Sequence, residues 1–95
     1  MPIAVRPTIA NTTMTTADTE YSYTLPANTI RFEMKLRASN AKFKLSFVSG
    51  ESGTTYMTIP EGGVYGELDA KAGSRVLYFQ SPTASQTMET KSWIR

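Results

Sequence analysis

The sequence predicts a small all-β domain, an antiparallel sandwich or a partly open barrel. Three observations carry that expectation. From Thr19 onward, apolar and polar residues alternate with a period of two. Turn signals built from Gly, Pro, Asn and Ser interrupt the alternation roughly every 8–12 residues, the spacing of short strands in sandwiches. No stretch carries a 3.6-residue apolar stripe over the roughly 10–12 residues that a helix needs.

The elements follow in chain order. Residues 1–18 stand apart: Pro2 and Pro7 lack backbone donors, and Thr8 to Asp18 is dominated by threonine, with Ile9 and Met14 as its sizeable apolar residues. Such a segment buries too little surface to offset its ordering entropy by itself. Threonine nonetheless favours extended backbone, so the segment reads as an arm that orders in extended form against a neighbouring subunit, docking on its own domain being the alternative. Tyr21, Tyr23 and Leu25 then alternate with Glu20, Ser22 and Thr24 up to the break at Pro26-Ala27-Asn28. Ile30, Phe32, Met34 and Leu36 alternate with Arg31, Glu33, Lys35 and Arg37, the cleanest half-buried strand in the chain. After Ser39-Asn40 come Ala41, Phe43, Leu45 and Phe47, closed by the loop Gly50-Glu51-Ser52-Gly53. Thr54 to Ile59 stops at Pro60, Gly62-Gly63 leads into Val64 to Leu68, and Ala72-Gly73-Ser74 leads into Arg75 to Gln80. Thr87 to Ile94 is the last strand. The expectation is about seven strands over residues 19–95, preceded by an extended arm over residues 1–18.

Composition narrows the function. A chain of 95 residues makes one domain with a thin core. Cysteine and histidine are both absent, so disulfides and the usual zinc sites are excluded as supports, leaving oligomerisation or docking. A net charge of +2 is too mild to point to nucleic acid. No apolar run approaches the roughly 20 residues of a membrane helix. The start, Met1-Pro2-Ile3-Ala4-Val5-Arg6-Pro7-Thr8, has neither the basic nor the apolar region of a signal peptide, and a product of the cytosol is expected.

A catalytic reading lacks its parts. There is no histidine base and no cysteine nucleophile, and no serine sits in Gly-x-Ser-x-Gly. The glycine pairs carry no Walker lysine. Glu61, Glu67 and Asp69 are the carboxylates close enough in sequence to pair for sugar hydrolysis or weak Ca²⁺ binding, but solvated loop and strand carboxylates have the same pattern. No cofactor and no metal is expected.

Binding has better material. A two-residue hairpin at Ser39-Asn40 would set Leu36 opposite Phe43, Met34 opposite Leu45 and Phe32 opposite Phe47, six residues forming one buried face. The other face would then hold Arg31, Lys35, Arg37, Lys42 and Lys44 against the single anion Glu33, and like charges directly opposite destabilise a strand pair. Three resolutions are open. The face is solvated and guards a sheet edge; an acidic partner covers it; or, in a Greek key, the two strands lie in different sheets and never pair. Nucleic acid ranks last, because the aromatics point to the opposite face. Thr8, Ile9 and Met14 of the arm join these five cations as the candidate partner contacts. Tyr21, Tyr23, Tyr56, Tyr65, Tyr78 and Trp93 serve either as packing residues or as a sugar-stacking platform.

The runs Tyr21-Ser22-Tyr23-Thr24-Leu25-Pro26-Ala27-Asn28-Thr29 with Arg31-Phe32, Tyr56-Met57-Thr58-Ile59-Pro60-Glu61-Gly62-Gly63, Leu77-Tyr78-Phe79-Gln80-Ser81, and Met88-Glu89 ending in Trp93 resemble the small virion structural proteins of tailed bacteriophages that decorate or cement a capsid. The likeness spans about residues 20–95 and is one of strand-and-turn layout. It implies a β-sandwich of jelly-roll or Greek-key type, and homo-oligomers such as trimers seated on the shell. It further implies an extended arm, a major capsid protein or other virion protein as partner, and a place in the virion after assembly in the host cytoplasm. It transfers no catalytic residue. The alternatives are a tail, connector or fibre-base component, a carbohydrate-binding module, and a small inhibitory or regulatory β-domain.

Overall fold

The computed structural model describes residues 6–69 and 71–95. Pro2 and the rest of the first five residues of the expected arm lie outside them. Eight strands follow in order: β1 Arg6–Met14, β2 Tyr21–Thr24, β3 Thr29–Leu36, β4 Phe43–Ser46, β5 Met57–Ile59, β6 Tyr65–Leu68, β7 Val76–Gln80 and β8 Gln86–Ile94. They form two four-stranded antiparallel sheets, β1-β8-β3-β6 and β2-β7-β4-β5, packed as a β-sandwich. The pairing is nested. β4 pairs with β5, β3 with β6, β2 with β7 and β1 with β8, so the first and last strands of the chain meet.

The seven stretches expected from alternation each overlap one of the strands β2 to β8. The expected arm is different. Over Arg6–Met14 it is a strand of the domain's own sheet, in continuous register with β8 from Arg6↔Ile94 to Met14↔Gln86. Threonine-rich backbone that could not fold alone has a sheet edge within its own chain to complete.

The hairpin expected at Ser39-Asn40 does not form. β3 lies in the first sheet, between β8 and β6, and β4 in the second, between β7 and β5. Residues 37–42 cross between the sheets, with Ala41 buried at the crossing. Alternation specifies which face of a strand is buried, and both strands satisfy it by facing each other across the sandwich rather than side by side. The third resolution of the charge problem therefore holds on one point: the two strands lie in different sheets and do not pair.

The core is the interleaved inner faces. Phe32, Met34 and Leu36 of β3 and Met88 of β8 meet Phe43 and Leu45 of β4 and Leu77 and Phe79 of β7, with Met14, Leu25, Ile59 and Ala72 closing the rims. Five of the six residues expected in the core are there. Phe47 is the exception at 44% exposure. β4 ends at Ser46, whose hydroxyl accepts from the Val48 N–H at 3.2 Å and bends the chain away. The Phe47 ring is left at the sandwich margin, 6.3 Å from the Tyr65 ring. At Gly66 a Cβ would fall 2.9 Å from the Phe32 carbonyl, so glycine is what allows β6 to close on β3.

Candidate interaction surface

The outer face of the first sheet is built from the odd-numbered residues of three strands. Pro7, Ile9, Asn11 and Thr13 of β1 lie beside Trp93, Lys91, Glu89 and Thr87 of β8, which lie beside Arg31, Glu33 and Lys35 of β3. β8 brings Glu89 to this face, and the cations Arg31, Lys35 and Arg37 are all compensated. Arg31 pairs with Glu33 at 3.1 Å, while Lys35 and Arg37 share Glu89 at 3.4 and 2.8 Å. The two cations hold the Glu89 carboxyl below its ordinary value, the Arg37 hydrogen bond contributing most. Trp93 lies under both the Arg31 guanidinium, 4.6 Å from its ring centroid, and the Lys91 ammonium, 4.7 Å away.

Among these charges stand uncovered aliphatic side chains. Ile9 is 71% exposed and Leu68, at the far margin on β6, 82%. Val64, in the turn before β6, is also exposed. Ile9 and Val64 bound a groove of about 400 Å³ with Glu33, Lys35, Glu89 and Lys91 along it. A second depression of about 570 Å³ runs from Val64 past Gly66 to Leu68. Isolated exposed apolar residues are ordinary; several arranged around one groove on a polar-rimmed sheet are the usual make-up of a docking surface.

The sequence-derived contacts divide. Ile9, Arg31, Lys35 and Arg37 fall on this face. Thr8 is exposed on β1 but belongs to the inward-facing row, opposite Ser92. Met14, expected as a contact, is a core residue at 1% exposure and cannot meet a partner. Lys44 belongs to the other sheet, where it packs over Tyr56 at 4.6 Å, and Lys42 lies just before β4 at the end of the crossing. The single five-cation face is thus replaced by two separate surfaces. Trp93, Val64, Leu68, Glu89 and Lys91 complete the first one. Of these, Trp93 alone stood out in the sequence, as an aromatic.

No family model, curated protein or solved structure matches the chain significantly.

The other candidate chemistry is structural. Tyr21, Tyr23 and Tyr65 pack against the core, whereas Tyr56 and Trp93 lie on different sheets, so the six aromatics do not make one platform. Glu67 and Asp69 do come together, but around Arg75, which bonds Glu67 at 3.1 Å and also bonds Asp69. A guanidinium occupies the place where a cation would sit, and among the described residues no cluster of metal-ligating side chains exists. The Tyr65 hydroxyl donates to Glu67 at 2.7 Å, and burial pushes its pKa up to about 12. These groups tie the end of β6 to the residue that precedes β7.

Proposed function

We propose that this chain is a non-enzymatic structural protein of a tailed-bacteriophage virion, a decoration or cement subunit that seats the outer face of its first sheet on the major capsid protein. The observation that carries this reading is the strand order, 1-8-3-6 facing 2-7-4-5. That order supports reading the sandwich as one long nested hairpin wound into two sheets, as in a jelly roll, an architecture that recurs in viral capsid and lectin domains. The layout of residues 20–95 resembles such proteins as well. The surface chemistry is compatible: aliphatic residues for contact area, and four cations (Arg31, Lys35, Arg37, Lys91) against two anions (Glu33, Glu89), which favours a partner with an acidic rim.

The test is direct. Antibody raised against the whole chain is applied to purified particles of the phage whose genome encodes it, with gold labelling in the electron microscope. Label on heads supports a decoration subunit, label on tails the tail or connector alternative, and no label on particles that lack nothing else removes the virion reading. Glycan-array binding by the isolated chain would favour the carbohydrate-binding alternative. Within the first outcome, Leu68→Asp with Val64→Asp is expected to lower head occupancy at least tenfold while leaving the fold intact, since both side chains are solvent-exposed.

A further inference from the structure

Four strands form the edges of the two sheets: β1 and β6 in the first, β2 and β5 in the second. An edge exposes unpaired backbone groups, and natural sheets guard edges by shortness, proline, or inward-turned charge. Three of the four edges are guarded. β5 has three residues and stops at Pro60. β2 has four and is followed, after Leu25, by Pro26. β6 has four and turns Glu67 inward onto Arg75.

β1 is built differently. It has nine residues, the length of its partner β8. Its charge and its proline, Arg6 and Pro7, are confined to its first two positions, which leaves Thr8–Met14 with neither. The residues just beyond, up to Ala17, are also uncharged. Between Thr8 and Thr13 its side chains are β-branched or small apart from Asn11, suited to lying flat against another strand.

We infer that β1 is a pairing edge whose occupant is β1 of a second copy of this chain, antiparallel about a two-fold axis, joining two four-stranded sheets into one of eight. Self-complementarity favours a second copy over a foreign strand. With the axis at Ile9, the pairs are Ile9 with Ile9 of the second copy, Thr8 with Ala10, Pro7 with Asn11 and Arg6 with Thr12. No like charges meet, because each Arg6 faces an uncharged residue. The exposed apolar side chain of this edge, Ile9, is covered by its own counterpart, a β-branched pair of the kind that stabilises sheets. Inward-facing residues stay with inward-facing ones, as a two-fold between antiparallel strands requires. The groove that Ile9 bounds then continues across the axis into its twin. A foreign strand would find no charged side chain along Thr8–Met14 to set its register. This inference does not rest on the virion reading.

The whole chain supplies the test, and the absence of native cysteine makes it clean. Contacts between edges are small, at or below about 1,200 Å², so a concentration-dependent dimer is expected, read between about 1 µM and about 1 mM. Sedimentation velocity should show the mass rising from 10.5 kDa to twice that value. Ile9→Lys places two ammonium groups opposite each other and should raise Kd at least tenfold, with the urea midpoint unchanged. Mild oxidation or a short bismaleimide should link Ile9→Cys into a covalent dimer and leave Leu68→Cys, on the opposite edge, monomeric. A wild-type chain that stays at 10.5 kDa over the whole range overturns the inference. So does a dimer that survives Ile9→Lys, or one that links through Leu68→Cys instead of Ile9→Cys.

Discussion

β1 and β3 flank the same strand, β8, and both run antiparallel to it. β1 matches it over nine residues, from Arg6↔Ile94 to Met14↔Gln86, yet sends one side chain, Met14, into the core. β3 has eight residues, buries Phe32, Met34 and Leu36, and is paired on its other side by β6. One strand is held chiefly by backbone hydrogen bonds and the other by packing as well. A backbone bond contributes about 0.5–1.5 kcal/mol net, whereas a fully buried large side chain contributes about 1.5–3 kcal/mol. Membership of one sheet therefore implies neither equal stability nor equal function: the weakly packed edge is free to meet a partner because the packed centre holds the fold.

Truncation should expose that contrast most sharply. Phe32→Ala should cost about 3–5 kcal/mol and Met14→Ala about 2–5 kcal/mol, the cavity range for such deletions. Thr13→Ala on the exposed side of β1 should stay within about 0.5 kcal/mol. Urea denaturation measures all three. If Thr13→Ala costs as much as Met14→Ala, β1 is held by its side chains throughout and the comparison collapses.

The contrast also marks what alternation can and cannot reveal. Phe32, Met34, Leu36, Phe43 and Leu45 were legible as core, because a period of two fixes which face is buried. Partners were not legible. Strands β3 and β4 are neighbours in sequence and lie in opposite sheets, whereas β1 and β8 pair from the two ends of the chain. The compensation of Lys35 and Arg37 was hidden for that reason: Glu89 lies 52 residues beyond Arg37. Arg75 was likewise invisible as the hub of Glu67 and Asp69, since its role depends on how the chain folds back between the end of β6 and the start of β7. Phe47 was misread because its strand stops one residue early, on a hydroxyl-to-backbone bond that periodicity does not register.

A second test bears on how the β1–β2 connection is fixed. Glu20 ends that connection and accepts from the Gly50 N–H at 2.8 Å, the Ser52 N–H at 3.1 Å and the Ser52 hydroxyl at 2.6 Å. It thereby ties the loop after β4 to the start of β2. These bonds, that from the Ser52 hydroxyl first, hold its pKa below the ordinary value. A folded pKa below the unfolded one means that the stabilisation is complete above about pH 4.3, the unfolded value, and is lost as pH falls through the depressed folded value. Glu20→Ala should cost about 1–3 kcal/mol at neutral pH, because it strands the buried Ser52 donors. It should also flatten the acid limb of the stability curve. An unchanged acid limb would remove Glu20 from the groups that tie the loop.

The smallest effect belongs to the strand between the two. Facing inward, β8 presents Met88, Thr90 and Ser92, all buried. Thr90 stands between Ala10 of β1 and Met34 of β3, and its Oγ1 finds no protein partner among the described residues. A buried hydroxyl without a partner costs free energy, whereas valine has nearly the same shape and no polar atom to satisfy. Valine also keeps the β-branched backbone preference of the strand. Thr90→Val should therefore raise stability by about 1 kcal/mol, seen as a higher urea midpoint with an unchanged slope. The gain would strengthen the packing of β1 against the inner sheet face without altering its outer edge, so association through Ile9 should be unaffected. A lower midpoint for Thr90→Val would mean that the hydroxyl is partnered in solution and that the β1–β8 seam is held by more than backbone bonds and Met14.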